Sequence, residues 1–331
     1  MYITLCVIAY NEEENIKSIL EDIKHQDYNH QDMELLMVDS ASTDDTKKLM
    51  LEFLHKNDNE FRKISVVNNP KRTLPCGWNV ALKKYEGEVI LKVDAHATIP
   101  ADFVTKNVRC LESGEMVCGG RRPTIIKDGS KWQDTLLLAE NSMFGSSIAD
   151  FRNNPGKTYV KSVFHGAYRR EVFDKVGGFN EKLTRTEDNE IHYRIRKAGF
   201  KIAFDPEIVS YQYIRSSLFK MLKQKFANGY WIGKTLRVCP GCLSLYHFVP
   251  FAFVIAIILS TVLCVCTSFI PIYVLTGLMW AAYILLAVVM AVIAIITAPK
   301  GKKHISAILL PVLFFLLHVS YGLGTVKSIF V

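Results

Sequence analysis

Asp94 and His96, a carboxylate and an imidazole one residue apart, could hold a divalent cation. They follow Glu88 to Val93, a run of apolar and β-branched residues after Gly87 that reads as a short strand. Side chains alternate along a strand, so both would leave its carboxyl end on one side. Oxygen and imidazole ligands suit Mn2+ or Mg2+ bridging a diphosphate, and ligands of open α/β sheets gather beyond the strand carboxyl ends. Taken alone, the triplet also fits an Asx-turn with a solvated histidine. Glu187 and Asp188 form a second pair, in Thr186-Glu187-Asp188-Asn189-Glu190 ahead of Ile191 and Ile195. That pattern equally describes a helix start with Thr186 as N-cap and acids suited to the dipole.

The elements that must position these groups alternate in type. Tyr2 to Ala9 reads as a buried strand ending in Tyr10-Asn11-Glu12, after which Ile16, Ile19, Leu20 and Ile23 recur on one helical face. Glu34 to Val38 is a second strand ending in Asp39, and Ser40 to Thr46 supplies N-cap residues before a helix with Leu49, Met50, Phe53 and Leu54. Ile64 to Val67 is a third strand, Trp78, Ala81, Leu82 and Tyr85 mark a third helical face, and the fourth strand delivers Asp94. Such alternation predicts an α/β fold with a mainly parallel sheet covered on both faces. Asn11, Asp39 and Asp94 then share one rim, where a nucleotide is the natural ligand and Asp39 could accept from its base or ribose. Neither a Gly-x-Gly-x-x-Gly dinucleotide fingerprint after the first strand nor a phosphate-binding Gly-x-x-x-x-Gly-Lys-Ser/Thr loop is present. Further along, Trp132 to Ile148 reads as a helix and Asp150 to Thr158 as a loop. A short helix follows Arg170 and stops at Gly177-Gly178.

Charge divides the chain sharply. No Asp, Glu, Lys or Arg occurs from Val238 to Pro299, nor again from His304 to Val326. About 20 apolar residues cross a bilayer core, so these gaps predict transmembrane helices near 248–269, 273–297 and 305–323. All acidic residues precede Val238, and the tail carries only Lys300, Lys302, Lys303 and Lys327 of the chain's 40 basic residues. The head is therefore only mildly basic, which excludes nucleic-acid binding on charge alone. Lys300-Gly301-Lys302-Lys303 separates the second and third spans, and the positive-inside rule makes that loop, and the head two crossings earlier, cytoplasmic. Met1 to Ile8 is strand-like without a basic leader, so no secretory signal is expected. Residues 216–231 form a basic amphipathic helix expected at headgroup level, or as a lid over the rim. The expected division is a cytoplasmic domain over 1–235 and a membrane domain over 236–331. Eight scattered cysteines fit a reduced compartment, and Cys239-Pro240-Gly241-Cys242 lacks the second pair that a four-thiolate zinc site needs. The spans hold no charged residue to mark a transport path.

Ile8-Ala9-Tyr10-Asn11-Glu12, Val38-Asp39-Ser40 with Thr43-Asp44, Asp94-Ala95-His96, Gly177-Gly178-Phe179 and Thr186-Glu187-Asp188 occur in this order. Together they resemble family 2 glycosyltransferases of the GT-A fold, across roughly residues 2 to 235. Val93-Asp94-Ala95-His96-Ala97, Tyr168-Arg169-Arg170-Glu171-Val172-Phe173 and Glu187-Asp188-Asn189-Glu190 are most similar to bacterial succinoglycan-type exopolysaccharide transferases. The resemblance implies that Ala9, Asn11, Glu12, Asp39 and Asp94 line the pocket of a nucleotide-diphospho-sugar, a UDP-sugar, and that Asp94 and His96 hold Mn2+ or Mg2+. It implies Asp188 as general base and Glu187 as its neighbour near the acceptor, with His165, Gly166, Gln224 and Trp231 as further acceptor or lid candidates. The chain departs from the family at His96, which stands for a second Asp, and in lacking the Gln-x-x-Arg-Trp motif of processive synthases. One sugar per acceptor is therefore implied. The expected activity is that of an inverting hexosyltransferase serving exopolysaccharide or capsule synthesis at the plasma membrane. Its acceptor would be a lipid-linked saccharide, with membrane lipids and polysaccharide-assembly proteins as partners and no nucleic acid. Transfer onto polyprenyl phosphate itself, and a membrane-anchored nucleotide-binding scaffold without catalysis, are the alternatives.

Overall fold

The computed structural model describes residues 1–127, 129–145 and 156–330. Their contacts divide into two units, Met1–Pro123 with Asp150–Tyr213, and Thr124–Ala149 with Ile214–Val331.

In the first unit, β1 (Ile3–Ala9), β2 (Met33–Asp39), β3 (Lys63–Asn68) and β4 (Val89–Asp94) lie parallel in the order β3-β2-β1-β4. The register sets Ala9 opposite Asp39 and Ile8 opposite Asp94, so the three expected rim positions share one edge. A short β5 (Ala97–Thr98) follows, and β6 (Val117–Arg121) continues the main sheet on the far side of β4. The second unit begins with β7 (Thr124–Ile125). The chain returns to the first unit with β8 (Thr158–Tyr159), β9 (Ala167–Arg169), β10 (Ala203–Val209) and β11 (Tyr211–Tyr213). β9 inserts antiparallel between β4 and β6, β10 pairs parallel with β6, and β11 pairs antiparallel with β5.

Alternation assigns the two faces. Ile3, Leu5, Val7, Leu91 and Val93 pack with Ile16, Ile19, Leu20 and Ile23 of the helix Ile16–Lys24 and with Phe103, Val104 and Val108 of the helix Phe103–Glu112. Cys6, Ile8, Leu36, Val38 and Ile90 pack on the other face with Trp78, Ala81, Ile191 and Ile195. The expected αβ alternation thus appears as a sheet covered on both sides. The antiparallel β8 and β9 are departures, since strands of two and three residues carry no pattern of their own.

The second unit contains three helices among the described residues that are long and apolar enough to cross a membrane: Leu245–Cys266, Ile270–Thr297 and Ile305–Phe330. They coincide with the expected spans to within a few residues, except that the third continues past Leu323. The basic helix is longer than 216–231, running Leu218–Val238. It belongs with the apolar helices rather than with a unit ending at 235, because glycines bring its backbone against that of the helix Leu310–Phe330. A Cβ on Gly229 would lie 1.9 Å from the Tyr321 carbonyl oxygen, and one on Gly324 would lie 2.0 Å from that of Phe226. Lys225, expected on a headgroup-facing surface, is instead buried and pairs with Glu140 at 2.9 Å. Glu140 comes from the helix Lys131–Asn141, which is shorter than the expected 132–148; residues 146–148, and 150–155 of the expected loop, lie outside the described residues. From that helix Asp134 reaches Lys302 at 3.2 Å and His304 at 2.9 Å, which ties down the lysine loop.

Gly229→Ala forces the two helix backbones apart and is expected to destabilise the second unit by about 1–3 kcal/mol, the usual cost of overpacking. Thermal unfolding of the detergent-solubilised protein checks this; an unchanged midpoint would contradict backbone contact at Gly229.

Candidate active site

Lys92 and Asp94 stand two apart on β4, hence on the same face of the sheet as Trp78, Ile191 and Ile195. Lys92 is 2 % exposed. Its Nζ lies 2.5 Å from Asp188 Oδ1, with the rings of Trp78 and Phe164 at 5.3 and 5.6 Å. Burial alone would lower the lysine's pKa, but Asp188, Glu187 and Asp94 outweigh it and keep the ammonium charged. Thr186 makes no side-chain cap hydrogen bond to the helix Glu187–Lys197. Thr186 nevertheless stands at the N-cap with the acids in the first turn, as expected of a helix start, and Asp188 in addition pairs with the lysine. Glu187 is 3 % exposed, and its Oε2 has no hydrogen-bond partner among the described residues. Burial, and then the neighbouring Asp188 charge, push its pKa up to about 8, so it carries a proton at neutral pH.

Asp94 Oδ2 lies 3.5 Å from both Arg122 Nη2 and His165 Nε2. His165 accepts the Asp94 backbone N–H through Nε2 at 3.3 Å, and its Nδ1 meets Ser210 Oγ at 2.7 Å. Burial lowers its pKa to about 4, so the ring is neutral and donates from Nδ1. Despite its burial, the Asp94 carboxyl is held well below the usual range by His165, His96 and Arg122. His96 turns Nδ1 to Glu12 Oε1 at 3.1 Å. Burial lowers its pKa, but Glu12 and Asp94 outweigh this and the net shift is upward.

Among the described residues no three His, Cys, Asp or Glu side chains gather as a metal cage. The available donors are Asp94 and His96. An ionised carboxylate and an imidazole whose other nitrogen is held by a carboxylate match the chemistry of Mn2+ or Mg2+ that completes its shell with substrate oxygens and water. The two side chains therefore fit a divalent cation.

The nucleotide candidates form one hydrogen-bonded rim. Asn11 has φ +53°, a left-handed conformation that Asn tolerates, and its Oδ1 accepts the Thr43 N–H at 2.8 Å. Glu12 donates its N–H to Thr46 Oγ1 at 2.8 Å, and Asp39 accepts the Ser42 N–H at 3.1 Å. Ala9 O accepts the Ser40 N–H at 2.9 Å. The turns after β1 and β2 are thereby laced together. Gly166 O accepts the Lys92 N–H at 2.9 Å, which joins it and His165 to the same edge of the sheet. Gln224 and Trp231 lie on the helix Leu218–Val238 of the second unit. Lys92 and Arg122 were missed from the sequence. A single charge inside Val89-Ile90-Leu91-Lys92-Val93 was the available signal for the first; Arg122 follows an arginine of no distinct pattern.

Residues 4–177 match the model of glycosyl transferase family 2. The chain belongs to that family. It is 27 % identical over 335 residues, covering 99 % of this chain and 98 % of the relative, to a dolichyl N-acetyl-alpha-D-glucosaminyl phosphate 3-beta-D-2,3-diacetamido-2,3-dideoxy-beta-D-glucuronosyltransferase of Methanococcus voltae. It is 25 % identical over 243 residues, 72 % of each chain, to the succinoglycan biosynthesis protein ExoA of Rhizobium meliloti. Among solved structures, a mannosyltransferase from Pyrobaculum calidifontis in complex with GDP-Man and Mn2+ superposes with TM-score 0.64 at 18 % identity, over 99 % of this chain and 87 % of that one. The expected GT-A fold and the assignment as a family 2 glycosyltransferase are thus borne out.

The raised Glu187 pKa has a defined sign. A carboxyl whose folded pKa is about 8 against 4.5 unfolded contributes stability that is complete below pH 4.5 and lost as pH rises through 8. Between those limits the wild type is expected to lose on the order of a few kcal/mol relative to Glu187→Gln. Denaturant unfolding of both proteins across this window tests it; parallel pH curves would show that Glu187 is ionised in the fold.

Proposed function

We propose that this family 2 enzyme is an inverting, metal-dependent transferase. It would move a hexose from a nucleotide-diphospho-sugar, a UDP-sugar, to a lipid-linked saccharide during polysaccharide assembly at the cytoplasmic face of the plasma membrane. The observation that carries the reading is the salt bridge from Lys92 to Asp188. It draws a carboxylate from the helix Glu187–Lys197 to the strand that ends in Asp94, so a proton acceptor and a diphosphate site share one edge of the sheet.

Asp39 and the laced turns at Asn11 and Glu12 bind and orient the nucleotide. Asp94 and His96 would hold Mn2+ or Mg2+, which neutralises charge developing on the departing diphosphate. Asp188 takes the proton of the acceptor hydroxyl as that oxygen attacks the anomeric carbon. Glu187, protonated at neutral pH, limits the negative charge beside the base. One displacement with one base inverts the centre, so an α-linked donor yields a β-glycoside. The Methanococcus relative, matched along nearly its whole length, is named for a dolichyl-phosphate-linked sugar, which supports a lipid-linked acceptor. The lysines between the second and third apolar helices support the cytoplasmic orientation.

Membranes containing the protein, incubated with a panel of radiolabelled nucleotide sugars and extracted for lipid, are expected to show label on lipid-linked saccharide. Label on bare polyprenyl phosphate would establish the alternative acceptor. Asp188→Asn is expected to lower kcat by about 10²–10⁴-fold. Chelation with EDTA is expected to abolish transfer and Mn2+ to restore it. Retained configuration in the NMR spectrum of the product would overturn the role of Asp188.

A further inference from the structure

Lys92 is a costly residue to keep in a sheet. It is 2 % exposed, flanked by Trp78 and Phe164, and lies on a face otherwise built from Ile8, Val38, Ile90 and Ile191. A buried ion pair is weak evidence for stability, because an apolar pair of similar volume often serves the fold as well or better. Its use must therefore be sought in what it holds. Lys92 Nζ occupies Oδ1 of Asp188, whereas Oδ2 has no hydrogen-bond partner among the described residues and the side chain keeps 17 % exposure. One carboxylate oxygen is thus anchored while the other remains available. The anchor is rigid: β4 is hydrogen-bonded to β1 on one side and to the antiparallel β9 on the other, and the Lys92 N–H is held by Gly166 O at 2.9 Å. Two residues on, the same strand delivers Asp94, about 6.6 Å away along the backbone at the usual rise.

We propose that Lys92 is a positioning residue for glycosyl transfer, a strand-borne ammonium that fixes the Asp188 carboxylate relative to Asp94 and leaves Oδ2 to meet the acceptor hydroxyl. The role rests on the transferase reading given above. It acts on the attack geometry and not on donor binding, so its loss appears in kcat. Misplacing a base by about 1 Å is enough to cost about 100-fold.

The test is a double-mutant cycle in the full-length membrane protein, with Lys92→Met, Asp188→Asn and the double variant, and Lys92→Arg as the conservative replacement. Transfer is measured with the radiolabelled donor on which the wild type is active, and nucleotide binding by calorimetry with UDP and Mn2+ on the solubilised protein. Lys92→Met is expected to lower kcat by about 100-fold, with donor KM and UDP affinity within about threefold of wild type. Lys92→Arg is expected to recover kcat to within about tenfold of wild type, and the double variant to be no slower than Asp188→Asn alone. Wild-type kcat in Lys92→Met, losses that multiply in the double variant, or UDP affinity falling in step with kcat would each overturn the proposal. Should Lys92→Met fail to fold, Lys92→Gln takes its place in the same cycle: it must slow the wild type and leave Asp188→Asn unaffected. A wild type that transfers no sugar from any donor defeats the transferase reading and this role with it. Active wild type with unaffected Lys92→Met defeats the positioning role alone.

Discussion

A charged ammonium inside a sheet must be met by a carboxylate, and the Lys92–Asp188 pair satisfies that requirement. Two independent forces bring Asp188 there. Ile191 and Ile195 seat their helix on the apolar face, and the macrodipole favours acids in its first turn. Packing alone would tolerate small shifts of the helix along the sheet, whereas the ion pair admits one. The same charge governs Glu187, whose neutrality follows from burial beside a carboxylate already committed to the lysine.

Around this pair the rim is assembled by register. Parallel pairing of β1 with β2 and β4 ends the three strands together, so residues far apart in sequence reach one edge without long loops. Two devices then sharpen it. Hydrogen bonds between the first two turns hold Asn11 and Glu12 against Ser42, Thr43 and Thr46. The antiparallel β9 brings His165 and Gly166 beside Asp94 and Lys92, where a neutral imidazole orients the Asp94 backbone without adding charge. Glu12 belongs to both devices, since its backbone serves the turn and its carboxylate holds His96.

The second unit obeys a different constraint. Small residues let helix backbones approach closely. Gly229 and Gly324 provide that contact between the basic helix and the last apolar one. The Lys225–Glu140 and Asp134–His304 pairs then join the helix Lys131–Asn141 to the same assembly.

Much of this architecture is legible in the amino-acid sequence. Period-2 and period-3.6 patterns revealed the strands and helices up to Asp94, because local burial leaves a local trace. Uncharged lengths revealed the apolar helices, because a long charge-free run is itself a trace in the composition. The ordered motifs from Asn11 to Asp188 carried the family. Other features were decided only by folding. Nothing local to Lys92 says that its partner lies 96 residues away, and nothing local to Glu187 says that it is buried and protonated rather than a solvated helix acid. The membership of helix Leu218–Val238 in the second unit was likewise hidden, since its glycines acquire meaning only against the carbonyls of Tyr321 and its neighbours. Composition and periodicity record which face of an element is buried. Which charge meets which, and what that does to its protons, depends on distances that exist only once the chain has folded.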